Sequence, residues 1–159
     1  MAAFDYFLKI EGIEGESKDA KHPKEIDLEA WSWGESQGGS HSPGGGGGGG
    51  RVSMQDFNFV MRVNKSSPKL ILACASGQHF TNAVLSGRKA GRDEFLKIIF
   101  TDVQVSSFQT GGSRQGDVPT DQVSINFTKL EYEYKEQKPD GTLGGTIRVG
   151  WDVKRNVAV

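Results

Sequence analysis

Apolar and polar residues alternate one for one along most of this chain. A period of two forces an extended backbone with one face buried. In the first such segment Phe4, Tyr6, Leu8 and Ile10 share a face, with Asp5, Lys9 and Glu11 opposite and Phe7 as the exception. A second segment, 25–34, sets Ile26, Leu28 and Ala30 against Asp27 and Glu29, then places Trp31 and Trp33 on the charged side. A third, 54–63, puts Phe57, Phe59, Met61 and Val63 together. Extended structure is expected again over 78–89, over 94–108 as one or two strands, and over 122–134. In that last stretch a parity slip between Phe127 and Leu130 reads as a β-bulge. The final segment is the cleanest, with Ile147, Val149, Trp151 and Val153 against Arg148, Asp152 and Lys154. Only residues 68–76 read as helix: Ser67 caps it, Pro68 opens it and Gly77 closes it, with Leu70, Ile71 and Cys74 on the buried side. Two turns are too few to stand alone, so this helix depends on packing. Seven or eight strands and one short helix predict a sandwich or small barrel and exclude βαβ units.

The length of 159 residues predicts a single domain, 1–159. Of its 22 glycines, seven sit together at 44–50, inside a stretch that cannot bury enough apolar surface to order itself. A flexible Gly-rich loop at about 35–51 is therefore expected. It is long for a hairpin connection, so either disorder or a contact role must explain it. Nineteen Lys and Arg balance 20 Asp and Glu, and this near-neutrality argues against nucleic acid as a partner. No apolar stretch approaches the ~20 residues of a spanning helix, so membrane insertion is not expected. The N-terminus lacks the basic start and apolar centre of a signal peptide, and a single cysteine excludes an internal disulfide. The chain reads as one that folds in a reducing bacterial cytoplasm and, if it leaves the cell, leaves without a cleaved leader.

No catalytic set assembles from these residues. The glycine run is followed by Arg51-Val52-Ser53 and a strand, without the lysine and helix of a phosphate loop. His22, His41 and His79 lack metal-ligand spacing, and Ser76-Gly77 lacks the flanking glycine of a nucleophile elbow. Glu131 and Glu133 form a same-face carboxylate pair whose ordinary meaning is a solvated or interfacial strand. No enzyme activity, cofactor or metal is expected. What exceeds the needs of one core is apolar residues on second faces: Phe7, Trp31, Trp33, Val60 and the run 95–100. Such a surplus points to a partner surface, and so to an oligomer.

Short motifs in fixed order carry a resemblance: Gly15-Glu16-Ser17-Lys18-Asp19, Ile26-Asp27 with Ala30-Trp31-Ser32-Trp33-Gly34, and the glycine-rich stretch before Val52. Ser67-Pro68-Lys69-Leu70, Ala73-Cys74, Arg88-Lys89-Ala90-Gly91, Gly150-Trp151-Asp152 and Asn156-Val157 continue the series. From about residue 4 to 157 the chain resembles the haemolysin-coregulated proteins (Hcp) of type VI secretion systems. The resemblance implies a partly open antiparallel β-barrel of two sheets with one short flanking α-helix, akin to phage tail tubes. It implies hexameric rings that stack into a tube within a contractile sheath, are secreted with the spike on contraction, and carry effector proteins in their channel. On that basis Ser32 is the candidate channel residue. Ser40, His41, Gly47, Arg51, Arg88 and Lys89 are candidates for contacts between subunits or rings. The alternative from a different class is a monomeric β-barrel that binds a small apolar ligand. A hydrolase with an unseen site is a third.

Overall fold

The computed structural model describes residues 2–38 and 50–159. Its organising element is β8 (Glu94–Gly111), a single strand of 18 residues. One edge of β8 pairs with β7 (His79–Lys89), from His79 opposite Gln104 to Arg88 opposite Glu94. The other edge serves two neighbours in turn. β10 (Lys129–Gln137) lies along its first half, from Tyr134 opposite Leu96 to Lys129 opposite Thr101. β9 (Thr120–Asn126) lies along its second half, from Asn126 opposite Gln104 to Thr120 opposite Gly111. At the changeover Asp102 takes a φ of 56°, a left-handed backbone that Asp tolerates better than most residues. The parity slip at Phe127–Leu130 is therefore the break between two strands, not a bulge within one.

From β9 the sheet continues through β6 (Phe57–Arg62) to β3 (Ala30–Ser32). From β7 it continues through β1 (Phe4–Ile10) to β2 (Ile26–Asp27). Residues 28 and 29 join the two wings: Leu28 N–H donates to the Tyr6 carbonyl at 3.0 Å and Glu29 N–H to the Val60 carbonyl at 2.8 Å. The sheet thus curls into a partly open barrel. From β10, β11 (Leu143–Asp152) and β12 (Val157–Ala158) extend the sheet beyond it. A separate hairpin pairs β4 (Glu35–Gln37) with β5 (Val52–Met54). Glu35–Gln37, expected to belong to the flexible loop, is thus a strand.

The barrel interior is filled. Phe57, Phe59, Met61, Leu8, Leu85, Ile98, Phe100 and Ile125 are essentially inaccessible. The Phe57 and Phe100 ring centroids lie 4.8 Å apart, as do those of Phe100 and Phe127. Trp31, expected on an outer face, stacks on Phe57 instead. The chain changes partner strand at 28–29, so its inward face switches from the Ile26 set to Trp31. Phe7 is buried as well, under the loop that precedes β2. Two of the residues read as surplus apolar surface are therefore covered within the chain.

The helix α1 (Ser67–Ser76) lies against β8. Its N-cap is Ser66, one residue earlier than expected, because the Ser67 hydroxyl is engaged elsewhere: it donates to buried Asp121 Oδ2 at 2.6 Å. Asn64 Oδ1 accepts from the Ser66 N–H at 2.8 Å and so holds the entry turn. Gly77 ends the helix in the left-handed conformation, φ 68°, as the sequence predicts. Leu70 and Ala73 face the core, with Cys74 partly buried beside them. Ile71, expected on that side, is 48% exposed, because the face in contact with β8 follows the 67–70–73 line.

Candidate functional site

Two surfaces stand out on the described residues. The first is the outer face of β3, β6, β9 and β8, a groove of about 700 Å³ that includes Ser32. Register aligns it into rungs that cross all four strands. One rung runs Ser32, Asn58, Ser124, Ser107. The next runs Ala30, Val60, Gln122, Gln109. Alternation along each strand puts the Phe59, Val123 and Ile125 side chains inward and leaves these residues outward. No residue lining the groove is charged. Ser124 Oγ donates to Asn58 Oδ1 within the first rung. At its margins, Arg62 Nε binds Glu29 at 3.1 Å and Ser106 Oγ donates to Asp56 at 2.5 Å.

The second surface is an apolar groove of about 710 Å³ between the β4–β5 hairpin and the extension β10–β11. Trp33, Met54, Leu130, Tyr132, Val149 and Trp151 line it. The indole N–H groups of Trp33 and Trp151 are both buried there without a hydrogen-bond acceptor among the described residues. A buried tryptophan N–H ordinarily finds one. Ile147 and Val149 on β11 are 66% and 64% exposed, a pair of aliphatic side chains beyond the reach of the core.

The sequence candidates fall in different places. Ser32 lies exposed on the uncharged face. Ser40, His41 and Gly47 lie outside the described residues. Arg51 is exposed and its Nη2 donates to the carbonyls of Val153 and Lys154, at 3.4 and 3.1 Å, tying β5 to the turn before β12. Lys89 is exposed at the end of β7. Arg88 is held inside the protomer, its side chain only 11% exposed. Its Nε bonds Asp5 at 3.1 Å, its Nη groups grip Asp19, and its guanidinium lies 5.0 Å over the Phe7 ring. The Arg88 hydrogen bond, with the Lys21 backbone N–H behind it, holds the Asp19 carboxyl below the usual carboxylate range. Asp27, in the same acid-rich neighbourhood, is pushed up by burial and then by the negative charges of Asp19, Asp5 and Glu29. His22 completes this clasp: Nδ1 is 2.9 Å from Glu25 and Nε2 is 2.5 Å from Glu94 Oε1, in ion-pair range though off the hydrogen-bond direction. Glu131 and Glu133 both pair with Arg148 across β10–β11, at 2.6 and 3.4 Å.

Sequence reasoning did not single out Asn58, Ser107, Gln109, Gln122 or Ser124, nor the exposure of Ile147 and Val149. Neutral polar residues carry no chemical signature in a sequence, and only strand register brings these five to one face. Among the described residues no group of three or more His, Cys, Asp and Glu side chains is placed to hold a metal. None of their helices is long and apolar enough to cross a membrane.

A family model described as "Type VI secretion system effector, Hcp" matches residues 7–134. The protein hcp1 of Pseudomonas aeruginosa is 47% identical, with 98% of each chain covered. The crystal structure of Hcp1 from Salmonella typhimurium superposes with a TM-score of 0.85 at 38% identity, covering 99% of this chain and 100% of that one. A structure titled as a type six secretion system protein gives 0.93 at 30% identity, over 99% and 100%.

Proposed function

The chain belongs to the Hcp family of type VI secretion, and from that premise we propose that it is the ring-forming subunit of the inner tube and a carrier of effector proteins in the channel. The uncovered apolar groove beside Ile147 and Val149 carries this reading. A monomer leaves that surface in water, and a second copy placed against it would remove it, at about 25 cal/mol for each Å² covered.

In this reading six copies close a ring, rings stack, and the Ser32 face lines the channel. Ser40, His41, Gly47, Arg51 and Lys89 serve contacts between subunits or rings. Arg88 acts indirectly, by fixing the loop before β2. The chain forms one β-barrel domain, works without catalysis or cofactor, and folds in the bacterial cytoplasm. It meets sheath and spike proteins there and is secreted on contraction. The packed interior, with the Phe57 and Phe100 rings 4.8 Å apart, supports this reading over a monomeric barrel that holds a ligand inside.

Light scattering combined with negative-stain microscopy tests the proposal. Rings about six chains in mass with an open centre are expected. A monodisperse single chain across a wide concentration range would reject it.

A further inference from the structure

The geometry points to a neutral, polar protein surface as the partner of the Ser32 face, bound by hydrogen bonds and not by ion pairs. The inference rests on reading that face as the channel wall. A quarter of the chain is charged, yet the groove has no charged lining. Four strands about 4.8 Å apart give the hydroxyl rung a span of about 14 Å, and the carboxamide rung follows about 7 Å along the strands. At the margins Arg62 is paired with Glu29 and Asp117, while Asp56 accepts only from the Ser106 hydroxyl and keeps its charge outside the groove lining. Over the rungs themselves a charged partner group would lose water and find no counter-ion, which is costly. Serine, threonine, asparagine, glutamine or exposed main-chain groups of a partner can exchange water for Ser32, Gln122 and Gln109 at no such cost. The net gain for each such bond is small, so binding is additive, reversible and nearly blind to salt. Nucleic acid would need cations that the groove does not offer.

The test uses assembled full-length protein and three short fluorescent peptides: one of Ser, Asn and Gln, one with interspersed Glu, and one with interspersed Lys. Anisotropy should show the neutral peptide bound most tightly, with less than about a two-fold change between low and high salt. Ser124→Asp and Ser124→Lys should both weaken it, each about five-fold. Gln122→Glu and Gln122→Lys, at a fully outward position, should repeat the pattern. Tighter binding of either charged peptide, or opposite effects of the two charge signs, would overturn the inference. Light scattering on the same samples separates the two claims: intact rings that ignore the neutral peptide sink this inference alone, whereas absence of rings sinks the ring reading and the inference with it.

Discussion

The imidazole of His22 lies flat against the ring of Phe7, with centroids 4.4 Å apart and planes 12° from parallel. On the other side of the clasp the Arg88 guanidinium covers the same ring at 5.0 Å. An aromatic on the outer face of β1 is thereby roofed by its own chain, and the roof is held by Asp5, Asp19, Glu25 and Glu94.

Stability should fall in acid through this clasp. The Asp19 carboxyl sits below its unfolded value of about 3.9, so its bond to Arg88 stabilises the fold above that pH. The gain is lost as pH drops through the lowered folded value. Thermal melts below about pH 4 should therefore decline more steeply for the parent than for Asp19→Asn, which lacks the titrating group. Parallel declines would show that Asp19 is not linked. Arg88→Met should lower the midpoint at neutral pH by about 3 °C or more.

Ser67 and Asp121 pin the start of α1 to β9 from inside the protein. Ser67→Ala leaves a buried carboxylate without its side-chain donor and should cost about 2–3 kcal/mol in urea unfolding. In an Asp121→Asn background the same change should cost less than about 1 kcal/mol, because no buried charge remains to be stranded. An equal cost in both backgrounds would mean that the bond does not couple the two residues.

The helix face can be checked by paired truncations. Leu70 is fully buried and Leu72 is 64% exposed. Leu70→Ala should lose about 2–5 kcal/mol, and Leu72→Ala should stay within about 0.5 kcal/mol. Comparable losses at both positions would put Leu72 against a surface of its own.

Gly15 closes the loop beneath His22. A Cβ there would stand 2.4 Å from the Glu25 carbonyl oxygen, a collision with backbone that no rotamer relieves. Gly15→Ala should therefore open the clasp and speed amide exchange at Ser17 and Lys24, whose N–H groups close the same turn. Unchanged protection would refute this.

Assembly should be sensitive to the β11 edge. Ile147→Asp with Val149→Asp puts charge where a neighbour would cover aliphatic surface. Scattering mass should drop to that of one chain, with the far-ultraviolet spectrum retained. Rings that survive the double change would place the subunit contact elsewhere.

The strands were largely legible, because alternation at Phe57, Phe59 and Met61 or at Val123 and Ile125 translates directly into buried and open faces. Partner changes were not. Trp31 turns inward only because residues 28 and 29 pass from β1 to β6, and Leu130 shifts parity only because β9 ends before β10 begins. Both depend on which strand lies alongside, a long-range fact absent from local pattern. The same holds for Ser67: its spacing reads as a cap, but the hydroxyl meets a carboxylate 54 residues away. Ser32 follows from the family resemblance, whereas its companions on the rung follow only from the register.

β8 bonds to β7 along one edge and to both β10 and β9 along the other. Ladder bonds run across the strands, so a pull along β8 loads them in shear, together and not one after another. Force applied along the strands to the β10–β11 extension is therefore shared, through β8, with the wall that bears Ser32. A sideways pull meets no such sharing: it opens the six-residue ladder between β10 and β8 from one end, so the barrel wall is braced against thrust along the strands and not against peeling.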